Sequence, residues 1–368
     1  MKLQTFETGD WSFLERLLPP WRELAQQLGL LKQTSVERLS LILRAVLFHV
    51  ATDSSLKVVT AMLSAGEVLD LSAVALHKRM KRLGPLFALL LTKMTDASEK
   101  FNDERWAGYS IFAVDASVVC RPGSKGTTVR VHSALRLSDL QNVHIEVTDE
   151  RGGETFRRFR HKAQPGQLWM GDRGYANPPG IASLHERGSA VLVRYNRGSL
   201  PLYDADGNSI EIFSLLSQLG DSHSPQEWPV WVHPKRGEKI ACRLVAIRLP
   251  PSKTEEARKR LYREYGKKVS SESLALAEFV VLVTTVPLSR LEAALLLRLY
   301  TMRWQIELAF KRDKSIAHLD RLPNFRPDTI YTWMLAKLLL TQITRNLATN
   351  QVAFPPCGKW AEQNRAVV

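Results

Sequence analysis

Polar and apolar residues alternate along this chain in three successive regimes. Residues 1 to about 104 carry helical spacing. Trp11–Leu18 forms an amphipathic turn or two, stopped by Pro19-Pro20, and Ser35–Val50 follows with Ser35 placed as an N-cap. Leu56–Leu63 and one longer helix over Ser72–Met94 complete the set. Near Ala107 the period shortens. Tyr109–Asp115 is a short apolar run read as a buried strand closed by Asp115. Val129–Leu137 and Val143–Thr148 alternate like a hairpin, and a turn at 149–153 leads into a further basic strand over Glu154–His161. Gln167–Met170 is another strand, running into Gly171-Asp172-Arg173-Gly174-Tyr175. Pro179–Arg187 reads as a helix and Ala190–Tyr195 as a strand.

From about 197 to 278 the alternation breaks. Strands are expected at Pro229–His233 and Ile240–Leu249, and a charged helix or linker at Lys253–Lys268, with seven basic residues against three acidic ones. This block reads as a β-rich insertion. Glu278–Thr285 is then a strand, and Ser289 and Glu292 form an S-x-x-E capping box opening a long helix. Thr329–Leu347 is a last apolar helix, and 351–368 a C-terminal tail. The organisation expected is a helical N-terminal domain over 1–104, a catalytic domain over 105–350 interrupted by the insertion 197–278, and the tail.

The long helix carries Tyr300, Arg303, Glu307 and Lys314. At about 100° per residue their offsets place a phenol, a guanidinium, a carboxylate and an ammonium within a sector of roughly 60°. Such a stripe suits a metal at the carboxylate and phosphates beside it. The same residues also describe a solvated face with an i,i+4 ion pair. Asp172, flanked by glycines after a strand, and Asp115 supply further carboxylates. Three acids from two strands and one helix would chelate two divalent cations, and hard oxygen donors select Mg²⁺ or Mn²⁺.

Charge adds a partner class. The 368 residues contain 51 Lys+Arg against 37 Asp+Glu, a formal charge of +14, which favours a polyanion, nucleic acid first and anionic membrane second. Lys78, Arg79, Lys81 and Arg82 lie on Ser72–Leu83, which reads either as the second helix of a helix-turn-helix on DNA or as the solvated face of a small bundle. Arg173, beside Asp172, joins them as a candidate DNA contact. No apolar run is long enough to span a membrane and no signal-peptide pattern is present, so a cytoplasmic protein is expected. Cys120, Cys242 and Cys357 show no paired spacing and read as ordinary thiols. His132 and His144 show no metal-ligand spacing.

Asp115 in AVDAS, Asp172 in GDRGY and Tyr300-x2-Arg303-x3-Glu307-x6-Lys314 together resemble the DDE transposases of the IS4 group, over residues 105 to 345. The resemblance implies an α/β, RNase H-like mixed sheet flanked by helices, with a β-rich insertion before the glutamate helix. It implies Mg²⁺-dependent (or Mn²⁺-dependent) cut-and-paste movement of an insertion sequence with two metal ions held by Asp115, Asp172 and Glu307, and phosphates gripped by Tyr300, Arg303 and Lys314. The implied partners are double-stranded DNA bearing the element's terminal inverted repeats and a second copy in a homodimeric synapse, in a prokaryotic cytoplasm at the nucleoid. Some members stack a flipped base on a tryptophan in the strand before the glutamate helix. Glu278–Thr285 has none, and Trp304 reads as a packing residue. A catalytically inactive DNA-binding protein on the same fold and a general RNase H-like nuclease are the alternatives.

Overall fold

The computed structural model describes residues 8–32, 34–95, 104–124, 126–220, 224–323 and 327–351. Apart from Gln351, the expected tail lies outside them. Contacts divide the chain into two compact units, one of residues 1–99, 116–153 and 307–368 and one of residues 100–115 and 154–306.

The first unit is mostly helical. Its N-terminal part runs α1 (Thr8–Leu17), α2 (Trp21–Gln27), α3 (Val36–Thr52), α4 (Leu56–Ala65), α5 (Ala73–Arg82) and α6 (Gly84–Met94). Ser35, Ser55 and Ser72 cap α3, α4 and α5, each side chain accepting a backbone N–H of the first turn. The single helix expected over Ser72–Met94 is two, because Pro85 has no N–H to give to a continuing helix. After the second half of β1 (Ser110–Val119), β2 (Val129–Arg136) and β3 (Asn142–Thr148) form the expected antiparallel hairpin, and the strand order here is β3-β2-β1.

The second unit begins with the first half of β1. It continues through β4 (Gln167–Gly171), α7 (Pro178–His185), β5 (Ala190–Arg194), α8 (Ile212–Leu216), β6 (Gln226–Val232), β7 (Ile240–Arg248), α9 (Pro251–Tyr265), α10 (Ser271–Leu276), β8 (Phe279–Thr284) and α11 (Ala293–Thr301). Its strand order is β1-β4-β5-β8-β7-β6. β1, β4 and β5 are parallel, and β8, β7 and β6 extend the sheet antiparallel. The insertion thus contributes the two outermost strands and three helices. Phe112 stacks on Trp169 with ring centroids 4.7 Å apart, and Phe159 stacks on Trp169 in turn at 5.7 Å.

No strand forms over Glu154–His161; Phe156–Phe159 is a 3-10 turn. Phe156 and Phe159 are both fully buried, and a spacing of three brings two side chains to one side of a 3-10 turn, where a strand would set them on opposite faces.

α12 (Trp304–Ile316) enters the first unit at Glu307, and α13 (Pro327–Gln351) follows in it. Asn142 donates to Gln342, tying β3 to α13 at 3.3 Å. Lys337 on α13 donates to Asp53 at 2.7 Å and to the Val50 carbonyl at 3.3 Å, behind α3.

Candidate functional site

The parallel pairing of β1 with β4 sets Ser110 opposite Gln167 and Ala113 opposite Met170. Continued by two residues, that register would bring Asp115 level with Asp172, one residue past the end of β4, and adjacent strands lie about 4.8 Å apart. β1 does not close at Asp115 as the sequence suggested. It continues to Val119, and Asp115 is the last β1 residue of the second unit. The run Ala116–Val119 sustains the strand because it pairs within the first unit, toward β2.

Asp172 is extended at the end of β4 and accepts the N–H of Gly174 at 2.9 Å, capping the 3-10 turn Arg173–Tyr175. Two glycines make this corner. A Cβ on Gly171 would stand 2.7 Å from Cβ of Tyr175, so the tyrosine folds back over the strand end only because Gly171 has no side chain. A Cβ on Gly174 would stand 2.1 Å from Oε2 of Glu154 and 3.2 Å from Oδ1 of Asp172. Glu154 is therefore a close neighbour of Asp172 across one glycine. It is a carboxylate that sequence reading missed, and only its place ahead of the buried Phe156 hinted at it.

Tyr175 is fully buried, with its ring 5.2 Å from that of Phe156 and 6.3 Å from that of Phe159. Among the described residues its hydroxyl has no hydrogen-bond partner. Burial first, and then the negative charges of Asp115, Glu154 and Asp172, push its pKa well above the ordinary tyrosine value, while Arg158 acts the other way.

Basic groups gather beside this corner. Arg194 ends β5, the strand next to β4. Burial, Arg173, Arg303 and Arg260 push its pKa down to about 10, with Tyr300 opposing. Arg260, from the charged helix α9, thus belongs to the same surroundings as Arg194. Tyr300 is half-buried on α11. Burial raises its pKa most, Asp172 adds to that, and Arg303 and Arg194 lower it. The Arg303 guanidinium lies 5.8 Å from the Tyr300 ring centroid. The second unit accordingly brings together Asp115, Asp172, Arg173, Tyr300 and Arg303 from the sequence-predicted set, and adds Arg194, Arg260, Glu154 and Tyr175. Arg194 was hidden in an apolar strand, where nothing in the spacing marks it.

The long helix expected through Tyr300–Lys314 is broken. α11 stops at Thr301, and α12 starts at Trp304. The bonds Met302→Leu299, Arg303→Tyr300, Gln305→Met302 and Ile306→Arg303 all span three residues. A stretch tightened to 3-10 turns about 120° per residue, so the four-residue stripe is not a straight helical face. Nor does the capping box form: Glu292 is the N-cap of α11 without a side-chain hydrogen bond, and Ser289 lies in the preceding turn. Arg303 falls in the break. Glu307 sits in the first turn of α12 and Lys314 in its last, both half-buried and both in the first unit. A helix N-terminus favours a carboxylate at Glu307. Trp304 is 43% exposed, so it is not the core residue expected, because it opens α12 where its side chain leaves the packed face.

On α5, Leu76 and Met80 face the core, Lys78 and Arg82 are exposed, and Arg79 and Lys81 are half-buried. His77 bonds Thr329 at 3.2 Å. Cys120 and Cys242 are free thiols, the latter buried with its pKa pushed up to about 12. Among the described residues, no group of three or more His, Cys, Asp and Glu stands ready to hold a metal ion, and no helix is long and apolar enough to cross a membrane.

Comparison with known proteins bears on all of this. Residues 106–343 match the model of the transposase DDE domain. The chain is 31% identical over 318 residues to the transposase for insertion sequence element IS421 of Escherichia coli, covering 84% of this chain and 85% of that protein. It is 30% identical to the putative transposase InsL for insertion sequence element IS186A of Escherichia coli K12, over 91% of this chain and 92% of that one. The transposase for IS231E of Bacillus thuringiensis subsp. finitimus is 24% identical over 88% of this chain. An eight-stranded mixed sheet with flanking helices and a match across 106–343 have one reading: the chain belongs to the DDE transposase family, enzymes on an RNase H-like fold.

Proposed function

We propose that this transposase excises and joins an insertion sequence by cutting at its terminal inverted repeats, with Asp115, Asp172 and Glu307 as the ligands of two Mg²⁺ or Mn²⁺ ions. The observation that supports the reading is the register of β1 on β4, which pairs Ala113 with Met170 and, continued two residues, would bring Asp115 level with Asp172. Hard oxygen donors in such a pair fit Mg²⁺ or Mn²⁺. Bound there, a metal pair supplies an activated water or 3′-hydroxyl and stabilises the leaving oxygen in an in-line attack on a phosphodiester.

The chain's own groups do the rest. Asp115 on β1 and Asp172 at the corner after β4 would be two of the ligands, with Glu307 of α12 as the third. Arg173, Arg194 and Arg303 neutralise and orient backbone phosphates, with Lys314 as a further cation. Tyr300 keeps its proton at neutral pH, since burial raises its pKa, so its hydroxyl serves as a donor to a phosphate oxygen. Lys78, Arg79, Lys81 and Arg82 make residues 1–104 a DNA-binding domain, which positions the end being cut. Two copies act in the synapse, one for each end, in a prokaryotic cytoplasm.

The test is cleavage of a labelled duplex carrying the element's own ends, with Mg²⁺, against a scrambled duplex of equal length. End-specific nicking that Glu307→Gln abolishes is expected. Equal cutting of both duplexes would support a general nuclease instead. Specific binding with no breakage would support an inactive DNA-binding protein.

A further inference from the structure

The corner at Asp172 contains more than the reaction above uses. Three carboxylates of one unit, Asp115, Asp172 and Glu154, surround a single phenol. Glu154 reaches Asp172 across Gly174, where any larger residue would collide with its carboxylate. Tyr175 is anchored by contact with Gly171, Phe156 and Phe159, so its ring cannot swing out to solvent. The hydroxyl is the one polar atom on that ring, it is fully buried, and it is unpartnered among the described residues. A stranded buried hydroxyl is costly, and a phenylalanine would fill the same space without that cost. Of the charges acting on the hydroxyl, Asp115 has the strongest effect, followed by Glu154 and Asp172. The Tyr175 N–H also donates to the Asp172 carbonyl at 3.3 Å, which holds the ring at this acidic corner.

We propose that Tyr175 and Glu154 are positioning residues of the divalent-cation site formed by Asp115 and Asp172. The inference rests on that reading of the aspartates. With a cation bound, the Tyr175 hydroxyl, which has no partner among the described residues, would donate to a carboxylate oxygen that faces away from the cation and so hold that ligand's rotamer. Glu154 adds negative charge behind Asp172 and strengthens the site's hold on a cation without being one of its three assigned ligands. Outer groups that orient a ligand typically change metal affinity by about 10- to 100-fold.

The experiment is titration of the full-length protein with Mn²⁺, following free Mn²⁺ by electron paramagnetic resonance, together with thermal melts in chelator. Tyr175→Phe keeps the ring and removes the donor. Its Mn²⁺ dissociation constant is expected to rise about 10-fold, while its cation-free Tm stays level or rises. Glu154→Gln is expected to weaken Mn²⁺ similarly, and it decides the matter if Tyr175→Phe fails to fold. Wild-type affinity in both variants, with Asp172→Asn clearly impaired, overturns this inference alone. A fall in the cation-free Tm of Tyr175→Phe also overturns it, because the hydroxyl would then have a structural partner. If Asp172→Asn binds Mn²⁺ as wild type does, the reading of the aspartates fails and takes this inference with it.

Discussion

Asp313, buried, and Asp172, half-buried, are two acids with opposite surroundings. Asp313, on α12, is 8% exposed and receives two hydrogen bonds from Arg345 of α13, at 2.9 and 3.1 Å. Burial still raises its pKa, although Arg345 and Arg312 pull it down. It is a structural acid that brings its own countercharge. Asp172 receives a backbone N–H from Gly174 and stands next to two other carboxylates. Carboxylates crowded together at one corner give a fold little stability, whereas an acid paired with an arginine clamps two helices together. The difference separates a carboxylate that serves the fold from one that serves chemistry.

The largest effect that would break this contrast is on activity. Asp172→Asn is expected to lower Mg²⁺-dependent cleavage of element ends by roughly 100-fold or more, with a Tm equal to or above that of wild type. Asp313→Asn should retain the cleavage activity of whatever fraction folds. Gel assays and melts on the same preparations check both, and the contrast is lost if the two variants exchange phenotypes.

Next in size is stability. Arg345→Leu leaves Asp313 buried without its partner, and breaking such a pair costs about 3–5 kcal/mol. Urea denaturation is the measurement. A loss under about 1 kcal/mol would place Asp313–Arg345 with ordinary surface pairs.

This contrast also explains what could be read from the chain beforehand. Asp115, Asp172 and the strands carrying them were legible, because buried parallel strands are short apolar runs and a carboxylate after one is conspicuous. The extension of β1 past Asp115 was not, since Ala116–Val119 acquires its partner from the hairpin that begins at Val129. Phe156 and Phe159 misled because basic residues between them imitate an alternating strand. The broken helix at Met302–Arg303 was invisible, for no glycine or proline marks it and the tightening appears only in its hydrogen bonds. Arg194 and Glu154 became candidates only through what the fold brings near them.

The smallest effect concerns arginines, and its sign is the informative part. Arg345 lies against a carboxylate; Arg194 lies among Arg173, Arg303 and Arg260, and its pKa is pushed down to about 10. Above about pH 10 the unfolded chain still holds a proton at Arg194 that the folded chain releases. Stability therefore rises with pH in that range, and at neutral pH the charged Arg194 is a standing cost to the fold. Arg194→Met should accordingly stabilise the DNA-free protein, by on the order of 1 kcal/mol, where Arg345→Leu destabilises it. The same substitution should weaken binding to element ends and reduce the slope of log K against log salt by about 1, as expected for one lost phosphate contact. Fluorescence anisotropy across a salt series, paired with denaturation of the free protein, measures both. If Arg194→Met destabilised the free protein and left the salt slope unchanged, Arg194 would be a structural arginine like Arg345, and the basic cluster would lose its claim to phosphate.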